Sequence, residues 1–157
     1  GIAKVESGLM NPDPQMRVVA FRALRRQNWK LDELSRRLAV DPAPAVRREV
    51  ALAQRDVPFA GAKEILFNLA RGYDGVDRTY LEAFGTGCSG KESEVLSRVA
   101  LELGSADPLK WTAKFAGIAW RLHPPQSVAA FKARALAPGA GPGAPGSGPG
   151  ARLWRGR

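Results

Sequence analysis

An internal repeat constrains the fold of this chain more than any single residue does. The segments NPDPQMRVVAFRAL (residues 11–24) and DPAPAVRREVALAQ (residues 41–54) align at two prolines, an arginine and an alanine, with an offset of 30 residues. A degenerate third copy begins at Tyr73, and a fourth begins at Asp107. Self-similarity at such a period indicates units that stack on one another, because one unit cannot bury its apolar face alone.

Between the repeated turns, the apolar residues follow the period of an α-helix. No strand-like alternation competes with this pattern, and prolines that follow Asn or Asp mark three helix starts. The stripes predicted to be buried include Met16, Val19, Ala20, Ala23 and Leu24, and further along Ala62, Ile65, Leu66, Leu69 and Ala70. The predicted helices cover residues 2–9, 14–27, 30–39, 43–55, 59–71, 76–85, 91–103, 109–122 and 126–136.

These features predict an all-α fold, an α-solenoid of about four stacked antiparallel helical hairpins. The repeat domain is expected to cover residues 1–137. From Pro138 onward Gly and Pro dominate, and the only large apolar residues are Leu153 and Trp154. Such a segment cannot bury enough surface to offset its ordering entropy, so residues 138–157 are predicted to be a disordered tail.

The second copy, DPAPAVRREVALA, resembles a HEAT repeat. The resemblance implies that turn aspartates and helix arginines form a ladder of side-chain bonds along the stack. It assigns this ladder to three pairs, which are Asn11 with Arg17, Asp41 with Arg47, and Asp74 with Arg78. The third pair departs from the pattern, because its residues are four apart where the others are six apart. In the fourth copy, Lys114 follows Asp107 at seven.

A closer resemblance covers residues 41–137. The strings RGYDGVDRTYLEAFGTG and FAGIAWRLHPP are similar to the HEAT region of large secreted planctomycete-type proteins, which also carry a sugar-dehydrogenase-like propeller and a c-type cytochrome domain. This resemblance implies an extracytoplasmic location, periplasmic or secreted, and places the chemistry in flanking domains. The chain itself has no C-x-x-C-H motif for haem attachment, so it is expected to hold no cofactor, metal ion or small-molecule ligand.

The string GTGCSGKE (residues 85–92) satisfies most of the P-loop pattern, in which backbone N–H groups cradle phosphates. It has Glu92 where the pattern needs a hydroxyl for the magnesium ion, and a helical stretch precedes it where a strand is required. Gly85 and Gly87 are therefore predicted to end a helix in the left-handed region. ATP with magnesium is expected to leave the melting temperature unchanged, and Lys91→Ala to be nearly silent.

Other candidates for catalysis are no stronger. The carboxylates of Asp74, Asp77 and Glu82 lie close together in the sequence. The chain has one His and one Cys, which do not suffice for a Ser-His-Asp triad or a transition-metal cluster. No catalytic residue is predicted, and the chain is not expected to be an enzyme.

The formal net charge of +9 raises the question of a nucleic-acid interface. Three of those charges belong to arginines in the tail, and the others are dispersed between apolar residues, which is typical of solvated helix faces. Trp29 and Arg48 are candidate contacts on the concave face of the solenoid, whereas Trp111 and Trp120 are predicted to be core. The alternative function is a HEAT-like DNA glycosylase, in which Trp, Asp and Arg side chains would converge on a basic concave face.

The function predicted from the sequence is a non-catalytic scaffold, a spacer and protein-interaction platform within a larger, haem-containing redox protein. Its expected partners are neighbouring domains of the same polypeptide or another protein, with nucleic acid disfavoured and no membrane span. Apolar stripes at residues 1–9 and 126–136 lack a second helix to cover them. The segment is therefore expected to belong to a longer array and to fray or self-associate at these stripes.

Overall fold

A computed structural model describes residues 1–139 of the chain, and within that range it contains helices and no strand. The α-helices are α1 (Ile2–Ser7), α2 (Pro14–Arg26), α3 (Leu31–Leu38), α4 (Pro44–Ala53), α5 (Phe59–Arg71), α6 (Arg78–Gly87), α7 (Glu92–Leu103), α8 (Ala113–Leu122) and α9 (Val128–Leu136). Short 3₁₀ turns lie at Gly8–Met10, Pro108–Lys110 and Pro125–Ser127. The all-α prediction is confirmed for this part of the chain. The predicted tail, apart from residues 138 and 139, lies outside it.

The helices pack in two rows. In one row α2 contacts α4, α4 contacts α6, and α6 contacts α8, while in the other row α3 contacts α5 and α5 contacts α7. Consecutive helices join the rows, because α1 packs on α2, α3 on α4, α5 on α6, and α7 on α8. Helix α9 packs against the 3₁₀ turns at Pro108–Lys110 and Pro125–Ser127. The helices in the middle of a row, α4 and α5, are thus covered by two neighbours in their own row and by two helices of the other row.

Side-chain caps fix where several helices of the α2 row begin. The carboxylate of Asp13 accepts from the N–H of Gln15 before α2, and that of Asp77 accepts from the N–H of Tyr80 at the start of α6. Thr112 caps α8 in the same way. These bonds satisfy N–H groups that have no partner within the helix, so each turn of the chain is held in a defined geometry.

A single apolar core runs between the two rows. Phe21, Leu66, Phe84 and Ile118 are among its fully buried side chains, and they come from four different helices. The continuity of this cluster explains how helices of only 6 to 13 residues become stable, because tertiary packing stabilises helices that would be marginal in isolation.

The structure contradicts one part of the predicted stripe on α2. Met16 and Val19 are about half-exposed, and Val18 and Phe21 are buried instead. Thirty residues on, Val46 and Glu49 occupy the corresponding positions of α4 and are buried, because α2 packs against α4. Among the described residues, α2 is the first helix of its row, so the equivalent face of α2 has no such cover.

The predicted helix end at Gly85 is also wrong. Helix α6 continues to Gly87, and both glycines are buried inside it. A Cβ added at Gly87 would lie 2.3 Å from the carbonyl oxygen of Ala51, which means that α4 and α6 approach closely at this point. The glycine in the left-handed region is Gly90, with φ of 77°.

The two end helices are expected to exchange amide hydrogens fastest. Neither α1 nor α9 has a fully buried residue, whereas residues 43–71 contribute many core side chains. Local opening costs least where few apolar contacts are broken, so protection should be lowest in residues 1–9 and 126–136. Native-state hydrogen exchange followed by mass spectrometry measures the protection of each helix. Equal protection in α1 and α5 would contradict the assignment.

No helix among residues 1–139 has the length and apolar character needed to cross a membrane.

Candidate functional site

The first rung of the predicted ladder joins two turns. The Arg17 guanidinium forms a two-pronged ion pair with Asp41, with distances of 3.0 Å from Nε to Oδ2 and 2.8 Å from Nη2 to Oδ1. Its Nη1 also donates to the carbonyl of Asn11 at 2.8 Å. Asn11 therefore takes part through its main chain, while its side chain accepts from the N–H of Asp13. The single side chain of Arg17 thus links the turn before α2 to the turn before α4.

Arg47 repeats this arrangement one unit further on, with a different acceptor. Its Nη1 donates to the carbonyl of Asp41 at 2.6 Å, and its Nη2 donates to the carbonyl of Gly72 at 3.1 Å. Asp74 accepts instead from the N–H groups of Asp77 and Val76, and these bonds lower the pKa of its carboxyl group. The second and third turns are thus connected through a main-chain carbonyl.

The third predicted pair is not brought together. Asp74 and Arg78 form no ion pair or hydrogen bond with each other, and Arg78 is exposed at the start of α6. The connection to the fourth turn comes from Lys114, whose Nζ donates to the carbonyl of Arg71 at 2.7 Å. Four turns therefore follow one another along one side of the molecule. We call this side the turn edge, and define it as residues 8–13, 39–43, 72–77 and 104–112.

Every segment of the turn edge exposes one large aliphatic side chain. The exposed fractions are 77% for Met10, 66% for Val40, 76% for Val76 and 57% for Leu109. A row of exposed aliphatic groups held at repeat intervals on bonded turns is a surface that another apolar chain can cover.

The turn segments are rich in aspartate, but cations from the adjoining helices bind to them. Its four segments contain five aspartates and one lysine, Lys110. Asp41 is paired with Arg17, and Asp77 lies 3.9 Å from Arg48. The other three aspartates of the edge are Asp13, Asp74 and Asp107. Within residues 1–139, none of them forms an ion pair with a lysine or arginine. Arg47 and Arg134 donate to carbonyls of the third and fourth segments, so the edge as a whole is not acidic.

The two candidate concave-face residues lie apart from each other and already have partners. Trp29 is in the loop after α2, where its indole Nε1 donates to Glu6 at 3.2 Å. Lys30 pairs with the same carboxylate, so this cluster ties α1 to the loop. Arg48 lies on α4, facing Asp77 at the start of α6. The structure brings them to no common site.

The GTGCSGKE string has a structural explanation. Its first four residues belong to the last turn of α6 and its cap. Lys91 is buried, and its Nζ donates to the carbonyl of Arg55 at 3.0 Å and to that of Ser89 at 3.4 Å. The ammonium group thereby holds the loop that follows α4. In this geometry the lysine that would contact a phosphate points into the protein.

Lys91→Ala is expected to lower the free energy of unfolding by about 1–3 kcal/mol, because a buried charge-assisted hydrogen bond is lost. This replaces the nearly silent outcome predicted from the sequence. Lys63→Ala is the control, since Lys63 is exposed on α5 and should change stability by less than about 0.5 kcal/mol. Urea unfolding measures both variants, and the melting temperature with and without ATP and magnesium tests the phosphate reading. Equal losses in the two variants would show that the Lys91 bonds contribute nothing.

The carboxylates near α6 are each used in a structural contact. Asp74 accepts two turn N–H groups, Asp77 caps α6, and Glu82 pairs with Arg121 at 2.8 Å. No group of three or more His, Cys, Asp or Glu side chains within residues 1–139 is arranged to hold a metal ion. Cys88 is fully buried, and burial raises the pKa of its thiol, which makes it a poor nucleophile.

The tryptophans of the fourth repeat form an aromatic cluster. Trp111 packs edge-on against Phe115 and Phe131, and Trp120 packs edge-on against Phe131. The indole N–H of Trp111 donates to the carbonyl of Ser105 at 2.8 Å. This cluster fastens α9 to α8 and the fourth turn.

Comparison with protein-family models, curated proteins and solved structures finds no match to this chain. Sequence reasoning missed the aliphatic groups of the turn edge, although a signal was present. Met10 and Val40 each stand directly before the Asn-Pro or Asp-Pro step that marks a turn.

Proposed function

We propose that this chain is a non-catalytic helical-repeat scaffold of the HEAT type that binds protein partners along its turn edge. The two rows of helices and the arginine bonds between successive turns support the solenoid reading. The observation that carries the binding role is the series of exposed aliphatic side chains at Met10, Val40, Val76 and Leu109.

Rigid presentation favours binding at this edge. Each of these side chains stands beside capped or bonded backbone, as where Asp107 accepts from the N–H of Leu109 at 2.9 Å. A partner that covers the row gains apolar burial without first having to order the turns, so little binding energy is lost to conformational entropy.

The resemblance to secreted redox proteins supports a further part of the proposal. In this part of the proposal, the scaffold holds a propeller and a haem domain of one extracytoplasmic polypeptide at a fixed separation. The reading frame on either side tests this part, since an upstream propeller and a downstream C-x-x-C-H motif are expected. Flanks that encode neither would remove it and leave the binding role of the turn edge untouched.

A site-specific photo-crosslinker tests the binding role. Placed at Val76 in the protein expressed in its own cells, it is expected to give a discrete crosslinked protein, while the same group at Lys63 is not. Introducing Val40→Asp and Leu109→Asp should reduce the yield at Val76, because charges would face the apolar partner. Equal yields at both positions, or no product at Val76, would overturn the proposal.

A further inference from the structure

We propose that the solvent-facing side of the α2 row binds the phosphate backbone of a nucleic-acid duplex. We call this surface the arginine face, and define it by six exposed or half-buried side chains, Arg22, Arg25, Arg26, Arg48, Arg55 and Arg78. It uses other residues than the exposed aliphatic groups of the turn edge. The inference therefore stands independently of the proposed function and adds a second kind of partner.

Ion pairs between neighbouring helices place these arginines next to one another. Arg22 on α2 pairs with Glu49 on α4 at 2.5 Å, and Arg48 directly precedes Glu49. Arg48 in turn lies 3.9 Å from Asp77, which directly precedes Arg78 at the start of α6. The line of arginines therefore crosses three helices, a distance of about 20 Å at the usual spacing of packed helices.

The arginine face stays positively charged after its ion pairs are counted. Glu49 and Asp77 offset Arg22 and Arg48, and Glu82, one turn after Arg78, is paired with Arg121. One further carboxylate, Asp56, is exposed next to Arg55 in the sequence. Four guanidinium groups remain against it, and they belong to Arg25, Arg26, Arg55 and Arg78.

These four arginines keep their charge in the folded chain. Arg25 donates to the carbonyl of Leu52 at 3.1 Å, a bond that fixes the guanidinium without neutralising it. Within residues 1–139, the side chains of Arg26, Arg55 and Arg78 form no ion pair or hydrogen bond. Their donors are therefore free for an anionic ligand.

The residues around the arginines favour a phosphate backbone over a protein partner. A protein interface has an apolar centre, but the positions between these arginines are Gln15, Ala45 and Thr79, which are small or polar, and half-buried Leu52. Exposed Val19 is the counterpart of Glu49 one repeat earlier, so it lies on the side of α2 away from α4. Recognition at this face therefore has to rest mainly on charge.

The length and chemistry of the face fit a duplex. Double-stranded DNA carries one negative charge per about 1.7 Å of its axis, so a line of cations of this length meets several phosphates. Each guanidinium presents a planar fork of donors that matches two phosphate oxygens. Single-stranded ligands are usually held by base stacking on aromatic rings, and Trp29, the exposed aromatic residue after α2, is bonded to Glu6 on α1 instead.

Fluorescence anisotropy tests the binding with the full chain and a labelled DNA duplex of about 20 base pairs. We expect a Kd of about 1–100 μM at physiological salt, and a linear fall of log K with the logarithm of the salt concentration. Replacing Arg26, Arg55 and Arg78 together by alanine should weaken binding at least about tenfold and make the salt slope shallower by about 3, since each phosphate contact contributes about 0.9.

The matched control removes the same charge from other helices. Arg37→Ala, Lys63→Ala and Lys132→Ala, combined in one chain, replace exposed cations on α3, α5 and α9. Their combined effect on the salt slope should be below about 1. All six substituted side chains are exposed, and thermal unfolding checks that both triple variants fold.

Three outcomes would overturn the proposal. An unchanged anisotropy at low salt would show that the face binds no duplex. Equal losses of affinity in the two triple variants would assign the binding to the net charge of the chain. Polyglutamate that competes as well as unlabelled duplex, at equal concentration of charges, would assign the face to an acidic polypeptide.

Discussion

Leu66→Ala is expected to lower the free energy of unfolding by about 2–5 kcal/mol, the range of leucine truncations in packed cores. Leu66 has 0% exposure and lies on α5, which contacts α3 and α7 in its own row and α4 and α6 in the other. Neighbours on so many sides leave little freedom to collapse into the space vacated by the side chain. Both the lost burial and the residual cavity should therefore count.

A matched control is available on the next helix of the row. Leu101 lies on α7 and is 82% exposed, so Leu101→Ala removes the same atoms from water rather than from the core. Its expected effect is below about 0.5 kcal/mol. Equilibrium unfolding in urea compares the two variants, with an unchanged m value as the sign that unfolding remains two-state. Similar losses would mean that the helix faces are misassigned.

Gly87→Ala is expected to destabilise the chain by about 1–3 kcal/mol through overpacking, although alanine is the better helix former. A Cβ at this position would meet the carbonyl oxygen of Ala51 at 2.3 Å. The contacted atoms belong to the backbone of α4 and cannot rotate away, so α4 and α6 would have to move apart. Packing along the row that contains α2, α4, α6 and α8 would then be less close. Thermal unfolding monitored by circular dichroism measures the loss.

Gly85→Ala separates steric crowding from the intrinsic effect of replacing glycine. A Cβ there would lie 2.3 Å from Cζ of Arg121, a long side chain that can move aside at the cost of its partly exposed ion pair with Glu82. The gain in helix propensity offsets that loss, and the net change should stay within about 1 kcal/mol. A Gly87→Ala variant as stable as Gly85→Ala would contradict the close approach of α4 and α6.

The sequence predicts the local elements of this fold well. The start of α2 follows from short-range chemistry, the carboxylate of Asp13 beside Pro14. The fourth repeat differs, because Pro108 opens a 3₁₀ turn and α8 begins at Ala113, four residues after the predicted start at 109. The helical period likewise marks which residues share a face. It does not reveal whether another helix covers that face. Met16 and Val46 have equivalent positions in their repeats, and only the second is buried.

The site depends on relations that periodicity does not contain. Gly87 is predicted to end a helix in the left-handed region; it is the last residue of α6 but has a helical backbone, and the approach of the Ala51 carbonyl is what requires a glycine there. The ladder resemblance assigns Asp74 as the acceptor of the third turn, but the shortened spacing turns its carboxylate toward its own backbone and leaves the carbonyl of Gly72 to Arg47. The exposure of Val76 follows from the same turn geometry.

The shared arginines have a consequence for how the chain loses its structure. The stability of a repeat array is approximately a sum of the stabilities of its units and of the interfaces between neighbours. Where the interfaces are weak, each unit can unfold separately. Arg17 binds both its own turn and the second turn, and Arg47 binds both the second and the third. Opening the second turn therefore deprives two helices of partners at once. Such coupling raises the cost of a boundary between folded and unfolded repeats, so residues 11–78 should unfold cooperatively, as one block.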